Sequence, residues 1–155
     1  MEVVFHPEPV LLTEAAEVSL EEISSAEFQK TINEMEEKLF SLNALGLAAP
    51  QIGIGKKLFV YRTPGHTCEV LINAKIVSCT DRVTHRGEGC LSVPGNRYDV
   101  KRYKRITVEG LNRQGEKVKL RVSNKLLAFC IQHEIDHCNG ITVEERGAII
   151  RIHKG

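Results

Sequence analysis

In His133-Glu134-Ile135-Asp136-His137, two imidazoles stand four residues apart and a glutamate directly follows the first. On a helix, positions i and i+4 share one face. Both rings can therefore reach a single metal ion, with Glu134 beside it as a candidate acid or base. Two histidines do not complete such a site. A hydrolytic metal centre uses three protein ligands and keeps one position open for water.

Two familiar completions lie downstream, and this sequence supplies neither. In HExxHxxGxxH a third histidine follows a glycine turn. Gly140 is in the glycine's place, but Val143 stands where that histidine belongs. The other completion is a glutamate from a later helix. Glu144 and Glu145 are too close in sequence to return from another helix, and no glutamate follows them. The remaining route is upstream, where Cys90 lies between Gly89 and Leu91 in a glycine-rich segment. A thiolate there is a strong ligand for zinc or iron(II). Cys130 and Cys138, on the histidine helix itself, are read as inert buried thiols. His6, His66, His85 and His153 are read as surface or locally hydrogen-bonded.

The elements that must position these groups are legible from periodicity and punctuation. The metal helix is expected to run from a cap at Ser123 or Asn124 to about Asn139, with Gly140 as its stop. Leu126, Leu127, Phe129, Cys130, Ile131 and Ile135 cover most of its girth, as in a buried helix. An earlier amphipathic helix starts near Ser24, where Ser24 and Glu27 fit a capping box. Its apolar stripe is Phe28, Ile32, Met35 and Leu39, and it ends near Asn43. Residues 1–23 read as an extended arm, because Pro7 and Pro9 oppose helix. Gly46 to Gly55 reads as a loop, with Gln51 the only side chain at its middle that can both donate and accept.

Leu58–Tyr61 reads as a strand, and Val70–Ile72 with Ile76–Val77 as one or two more. Residues 84–98 look like a functional loop or irregular strand. Ile106–Leu111 and Lys117–Val122 alternate on either side of a turn containing Gly115, the pattern of a hairpin. Beyond Gly140, Ile141–Val143 and Ala148–Ile150 read as extended.

Bulk properties fit one soluble domain covering residues 1–155. The chain is 42% hydrophobic and 26% charged, with a net charge of +1. That balance gives no field favouring DNA or a membrane surface. The N-terminus lacks the basic start and apolar run of a signal peptide, and no apolar run approaches the ~18 residues of a membrane span. The five cysteines include no CxxC pair, which points to free thiols in a reducing compartment rather than a disulfide framework.

Three stretches together carry a family resemblance. Gly46-Leu-Ala-Ala-Pro-Gln51, Glu88-Gly-Cys90-Leu91-Ser92 and Gln132-His133-Glu134-Ile-Asp-His137 resemble the signature motifs of the peptide deformylases, in the same order and at similar intervals. The opening His6-Pro7-Glu8-Pro9-Val10-Leu11 and the hairpin resemble that family as well. The resemblance runs from about residue 3 to about residue 141.

It implies an α+β fold with antiparallel β-sheets packed around a central metal-binding helix, plus an N-terminal amphipathic helix. It implies a hydrolase that removes the N-formyl group from the initiator methionine of new polypeptides, releasing formate. One divalent metal would be held by Cys90, His133 and His137, natively Fe(II), with Zn(II), Ni(II) or Co(II) as substitutes. Glu134 would move the proton. The Gln51 amide and the Leu91 backbone N–H would meet the charge developing on the formyl oxygen.

Substrate backbone would pair in strand fashion near Gly46 and Gly89. Leu45, Leu126, Phe129, Cys130 and His133 would form the methionine pocket, and Arg97 would also meet substrate. Glu88 and Arg102 match a supporting pair that would fix the Cys90 segment. The implied setting is the cytoplasm of a bacterium or phage-infected host, with a monomer acting on N-formylmethionyl peptides in transient proximity to the ribosome.

The sequence departs from the family pattern at two places. Ala44 stands where many relatives have a second glycine. Many members also continue past the metal helix with Leu-Phe-x-Asp and a long C-terminal helix, so this chain reads as a compact member. Lys101-Arg102 and Lys104-Arg105 offer a footing on RNA, but read first as solvated charges along a strand edge. A metalloendopeptidase is disfavoured by Val143 and the missing downstream glutamate. A silent binding module is disfavoured by the retention of Gln51, Cys90, Glu134 and both histidines.

Overall fold

The computed structural model of the chain describes residues 1–152, with residues 148–152 as backbone alone. His153 lies outside the described residues. The elements in chain order are α1 (Pro9–Leu12), α2 (Leu20–Ile23), α3 (Ala26–Ser41), β1 (Gly46–Ala48), a 3-10 turn (Ala49–Ile52), β2 (Leu58–Arg62), β3 (Cys68–Cys90), β4 (Val93–Leu111), β5 (Lys117–Val122), α4 (Lys125–Cys138), α5 (Val143–Arg146) and β6 (Gly147–Ile152).

The strands form one antiparallel sheet in the order β1-β2-β3-β4-β5, in the expected α+β arrangement. β6 pairs with Asn96–Val100 and β5 with Ile106–Leu111, so the two share one edge of β4 at opposite ends. The predicted hairpin forms in full, from Ile106↔Val122 to Leu111↔Lys117.

β2 explains the layering. Successive side chains on a strand point to opposite faces. Leu58 and Val60 join the cluster around Phe28, Ile32, Met35 and Leu39 of α3. Phe59 and Tyr61 join the cluster around Ala128, Ile131 and Ile135 of α4. Each helix thus covers one face of the sheet. The four α3 anchors are 4% exposed or less, and burying each contributes about 1.5–3 kcal/mol. Among the described residues, no helix is long and apolar enough to cross a membrane.

Several local expectations are corrected. The arm over residues 1–23 contains two one-turn helices, because Pro9 sits at the first position of α1, where its missing N–H is harmless. The cap of α3 is Ser25, whose Oγ accepts from Phe28 N–H at 3.1 Å. Ser24 is occupied in closing α2. The Gly46–Gly55 loop contains β1 and the 3-10 turn. Residues 84–98 follow the irregular-strand alternative, as the bulged tip of one long hairpin. Ile76–Val77 and Val70–Ile72 form one strand, the first of the two expected alternatives. Val143 opens the short helix α5 instead of extending, whereas 148–150 are extended, within β6.

α4 is capped by Asn124, which accepts from Leu127 N–H at 3.1 Å. Gly140 ends the run at φ +74°, and a Cβ there would lie 2.6 Å from the Thr13 carbonyl carbon. The glycine is thus needed both for the left-handed turn and for close approach of the N-terminal segment. Ala15 N–H completes the join by donating to Cys138 O at 2.9 Å.

Candidate metal centre

Cys90 is the last residue of β3, and Leu91–Ser92 forms the turn into β4, where Val93 pairs back with Cys90. The register slips twice just before this tip, between His85 and Glu88 and between Glu88 and Cys90. Such bulges re-aim side chains at strand ends. Here they direct Glu88 and Cys90 at α4.

Cys90 Sγ, one nitrogen of His133 and one of His137 all lie within 4.8 Å of one another. The two Nε2 atoms are 3.1 Å apart, and Cys90 Sγ is 3.4 Å from His137 Nε2. Donors arranged tetrahedrally at ordinary zinc bond lengths stand about 3.3 Å (N···N) and 3.6 Å (N···S) apart. The three donors therefore fit one divalent ion. Among the described residues they are the only cluster of metal-binding side chains this tight.

The electrostatics also call for a cation. Burial disfavours a charged His133, but Cys90 and the Glu88 carboxylate outweigh it and raise its pKa well above the ordinary value. A metal ion held at Nε2 would take the place of that proton. His137 is held well below its ordinary value by burial first, then by the charges of His133 and Arg102. It is neutral, as a ligand must be.

Glu134 is buried beside the donors, and its Oε1 has no hydrogen-bond partner. Burial pushes its pKa up to about 7, against the opposing pull of His133. β1 passes so close that a Cβ on Gly46 would lie 2.7 Å from both Glu134 Oε2 and Cys130 Sγ.

The Gln51 amide is oriented by Ala48 N–H, which donates to Oε1 at 2.9 Å. Gln51 Nε2 then points to the tip of β3, 3.9 Å from Cys90 Sγ and 3.5 Å from Ser92 Oγ. The N-terminal segment ties these two parts together. Val4 N–H donates to Gln51 O, and His6 N–H to Ser92 O, both at 2.8 Å.

A cleft of about 660 Å³ opens over this centre. Every residue expected to meet substrate lines it: Leu45, Gly46, Gly89, Arg97, Leu126, Phe129 and Cys130. Leu126 is 61% exposed although α4 is otherwise largely buried, and Leu45 is 58% exposed. Leu91 lines the same cleft.

Glu88 and Arg102 are a buried pair, with Nη2 donating to Oε1 at 2.5 Å and Nε to Oε2 at 3.2 Å. Arg102 therefore leaves the basic cluster of the strand edge: it is 2% exposed, while Lys101, Lys104 and Arg105 remain on the surface.

Three participants escaped the sequence reading. His85 is locally hydrogen-bonded, as expected, with Nδ1 2.6 Å from Glu88 Oε2. It also stacks on Phe129 at 4.4 Å and lines the cleft. Three residues along a regular strand would put it on the opposite face from Glu88; the bulge between them reverses that. Asp136 and Arg146 follow in series behind Glu88 and Arg102; the sequence signals are a polar residue on a buried helix at Asp136 and opposite charge at Arg146.

The likeness to known proteins follows the same motifs and extends well beyond them. A sequence model described as polypeptide deformylase matches residues 1–150. The chain is 40% identical over 139 residues to a peptide deformylase of Fusobacterium nucleatum, covering 90% of this chain and 79% of that protein. It is 37% identical over 150 residues to that of Thermodesulfovibrio yellowstonii, covering 94% and 88%.

Among solved structures, a Synechococcus elongatus peptide deformylase in complex with actinonin superposes with a TM-score of 0.87 at 37% identity, covering 96% of this chain and 79% of that one. The enzyme of the Vibrio parahaemolyticus bacteriophage VP16T, also with actinonin, gives 0.82 at 33%, covering 92% and 100%. Sequence and fold agree along almost the whole length: the chain belongs to the polypeptide deformylase family, whose members are metalloenzymes that remove the N-formyl group from the N-terminal methionine of new polypeptides.

Proposed function

We propose that in this deformylase Cys90, His133 and His137 hold one divalent metal ion, and that Glu134, Gln51 and Leu91 carry the reaction beside it. The carrying observation is the convergence of three donors on one point next to an unpartnered, buried carboxylate. Thiolate and imidazole together suit iron(II) and zinc. Fe(II) is the native ion in this reading, with Zn(II), Ni(II) or Co(II) able to replace it.

Such an ion, when bound, makes water acidic enough to ionise near pH ~7 and polarises a carbonyl oxygen. Glu134 accepts the proton of the attacking water and hands it to the departing amine. The carboxyl is suited to both tasks because it is buried beside the donors with Oε1 unpartnered, and in the metal-free fold burial brings its pKa up to about 7. As the formyl carbon becomes tetrahedral, its oxygen gains charge. Gln51 Nε2, held in place through Ala48, and the Leu91 backbone N–H donate to it.

β1 is the terminal strand of the sheet. A peptide backbone can add along its free edge between Gly46 and Gly89, a β-augmentation mode. The methionine side chain then lies against Leu45, Leu126, Phe129, Cys130 and His133, with Arg97 at the rim. Glu88 and Arg102 keep the tip of β3 in place. The chain works as one catalytic domain and a monomer, on formylmethionyl peptides emerging near the ribosome in the cytoplasm.

The test pairs metal analysis with product analysis. Anaerobically purified protein should carry one metal per chain, and Cys90→Ala should lose it. A formylmethionyl peptide should release formate. Cleavage of internal peptide bonds without formate release would refute the reading.

A further inference from the structure

Behind His133 lies a row of alternating charges that ends at the surface. His133 Nδ1 donates to Glu88 Oε1 at 2.7 Å. Arg102 forks Glu88 through Nε and Nη2, and turns Nη1 to Asp136 Oδ2 at 2.6 Å. Arg146 forks Asp136 in turn, Nε to Oδ2 and Nη2 to Oδ1, both at 2.8 Å. The Arg102 side chain is 3% exposed and Asp136 9%, whereas Arg146 is 44% exposed. Arg146 is thus the one member of the row that reaches solvent.

Its location is fixed independently of the row. α5 is anchored by Val143, 2% exposed among Val93, Tyr98 and Val100. Glu144, the next residue, takes the Tyr98 hydroxyl at 3.3 Å and faces His6 Nε2 at 3.3 Å. α5 therefore presents Arg146 to Asp136 as part of the packed fold.

We propose that Arg146 is a positioning residue for the metal ligand His133, acting through Asp136, Arg102 and Glu88; the inference rests on the metal-site reading above. A buried guanidinium serving two carboxylates divides its bonds between them. With Arg146 in place, the charge of Asp136 is met from both sides, and Arg102 keeps two of its three contacts on Glu88. Without Arg146, Asp136 has Arg102 alone and draws it away. Glu88 then holds the His133 ring less firmly, and the Nε2 lone pair wanders from the direction shared with His137 and Cys90. Carboxylates behind a ligating histidine set both its tautomer and its orientation.

A purely electrostatic role predicts the opposite sign. Removing one positive charge near a cation site would tighten binding. The two roles are therefore separable by one measurement.

The experiment compares wild type, Arg146→Ala, Arg146→Lys and Asp136→Asn, each loaded with Co(II). Metal loss to excess chelator is followed by the visible cobalt spectrum, and folding by thermal melts. Arg146→Ala should lose cobalt about 3–10-fold faster, below the tenfold to hundredfold typical of a direct partner of a ligand. Its ligand-field bands should shift. Arg146→Lys, which restores the charge without the fork, should fall between. Arg146→Ala placed in Asp136→Asn should add nothing, since the two act in series.

Unchanged or slower cobalt loss in Arg146→Ala would overturn the proposal. So would additive effects in the double variant. Cobalt that stays bound to Cys90→Ala with an unchanged spectrum would instead defeat the metal-site reading. Arg146→Lys and Asp136→Asn keep the test decisive if Arg146→Ala melts too low to assay.

Discussion

Glu88 Oε1 accepts from His133 Nδ1 at 2.7 Å, so the other ring nitrogen faces Cys90 and His137. An ionised carboxylate can only accept, which assigns a proton to Nδ1 and leaves Nε2 as the nitrogen that would meet an ion. The same carboxylate also takes His85 and Arg102, and so it links the tip of β3 to α4. Glu88→Gln should keep the shape but lose part of this orientation. Metal affinity should fall about 10–100-fold, measured by competition with a chromophoric chelator.

Acid should undo the same linkage. Burial alone would raise the pKa of Glu88, but bonds from His133, His85 and Arg102 prevail and hold the carboxyl far below the usual range. A carboxyl depressed in the folded state stabilises the fold fully above its unfolded pKa, ~4.3. That stabilisation drains away as pH falls from there toward the folded value. Melting temperature should therefore drop steeply below pH ~4.3, and Glu88→Gln should flatten that drop.

Glu134 has the opposite sign. Burial raises it to about 7, so ionisation destabilises the metal-free fold progressively from the unfolded pKa up to that value. Glu134→Gln should raise the melting temperature of chelator-treated protein at pH ~8 and change it little near pH ~4, where both states are mostly protonated. In loaded enzyme the same variant should retain metal and lose about 10²–10⁴-fold in formate release.

Gly46→Ala should separate packing from chemistry. The added Cβ would meet Cys130 Sγ and Glu134 Oε2 at 2.7 Å each. Overpacking of this kind costs about 1–3 kcal/mol. Adding Cys130→Ala removes one clash and should recover part of the melting temperature. Turnover should stay low in both variants, because the other clash displaces the proton carrier.

The sequence by itself determined whatever depends on local periodicity and residue chemistry. His133 and His137 share a face because four residues make about one helical turn, whatever surrounds them. The Ile106–Val122 hairpin follows from alternation around Gly115, and the stripe of α3 from its spacing. Cys90 and Gln51 were legible as residue types in glycine-rich segments, and the resemblance of three ordered motifs joined them to the histidines. Ser25 in place of Ser24 shows the limit of such reading, since two adjacent serines compete and the preceding helix settles which one caps.

Tertiary structure alone decided what depends on pairing between distant segments. A strand of 23 residues was hidden in β3 because polar residues and Gly87 interrupt its alternation. Its bulges then reversed which side chains share a face, bringing His85 beside Glu88 and turning Cys90 toward α4. Arg102 reads as one more cation of a basic cluster until Asp136, 34 positions later, is seen to meet it. Charge in a sequence has a sign but no address. The address comes only when the sheet and helices have set which residues lose their water together, and a buried ion must then find its partner among them.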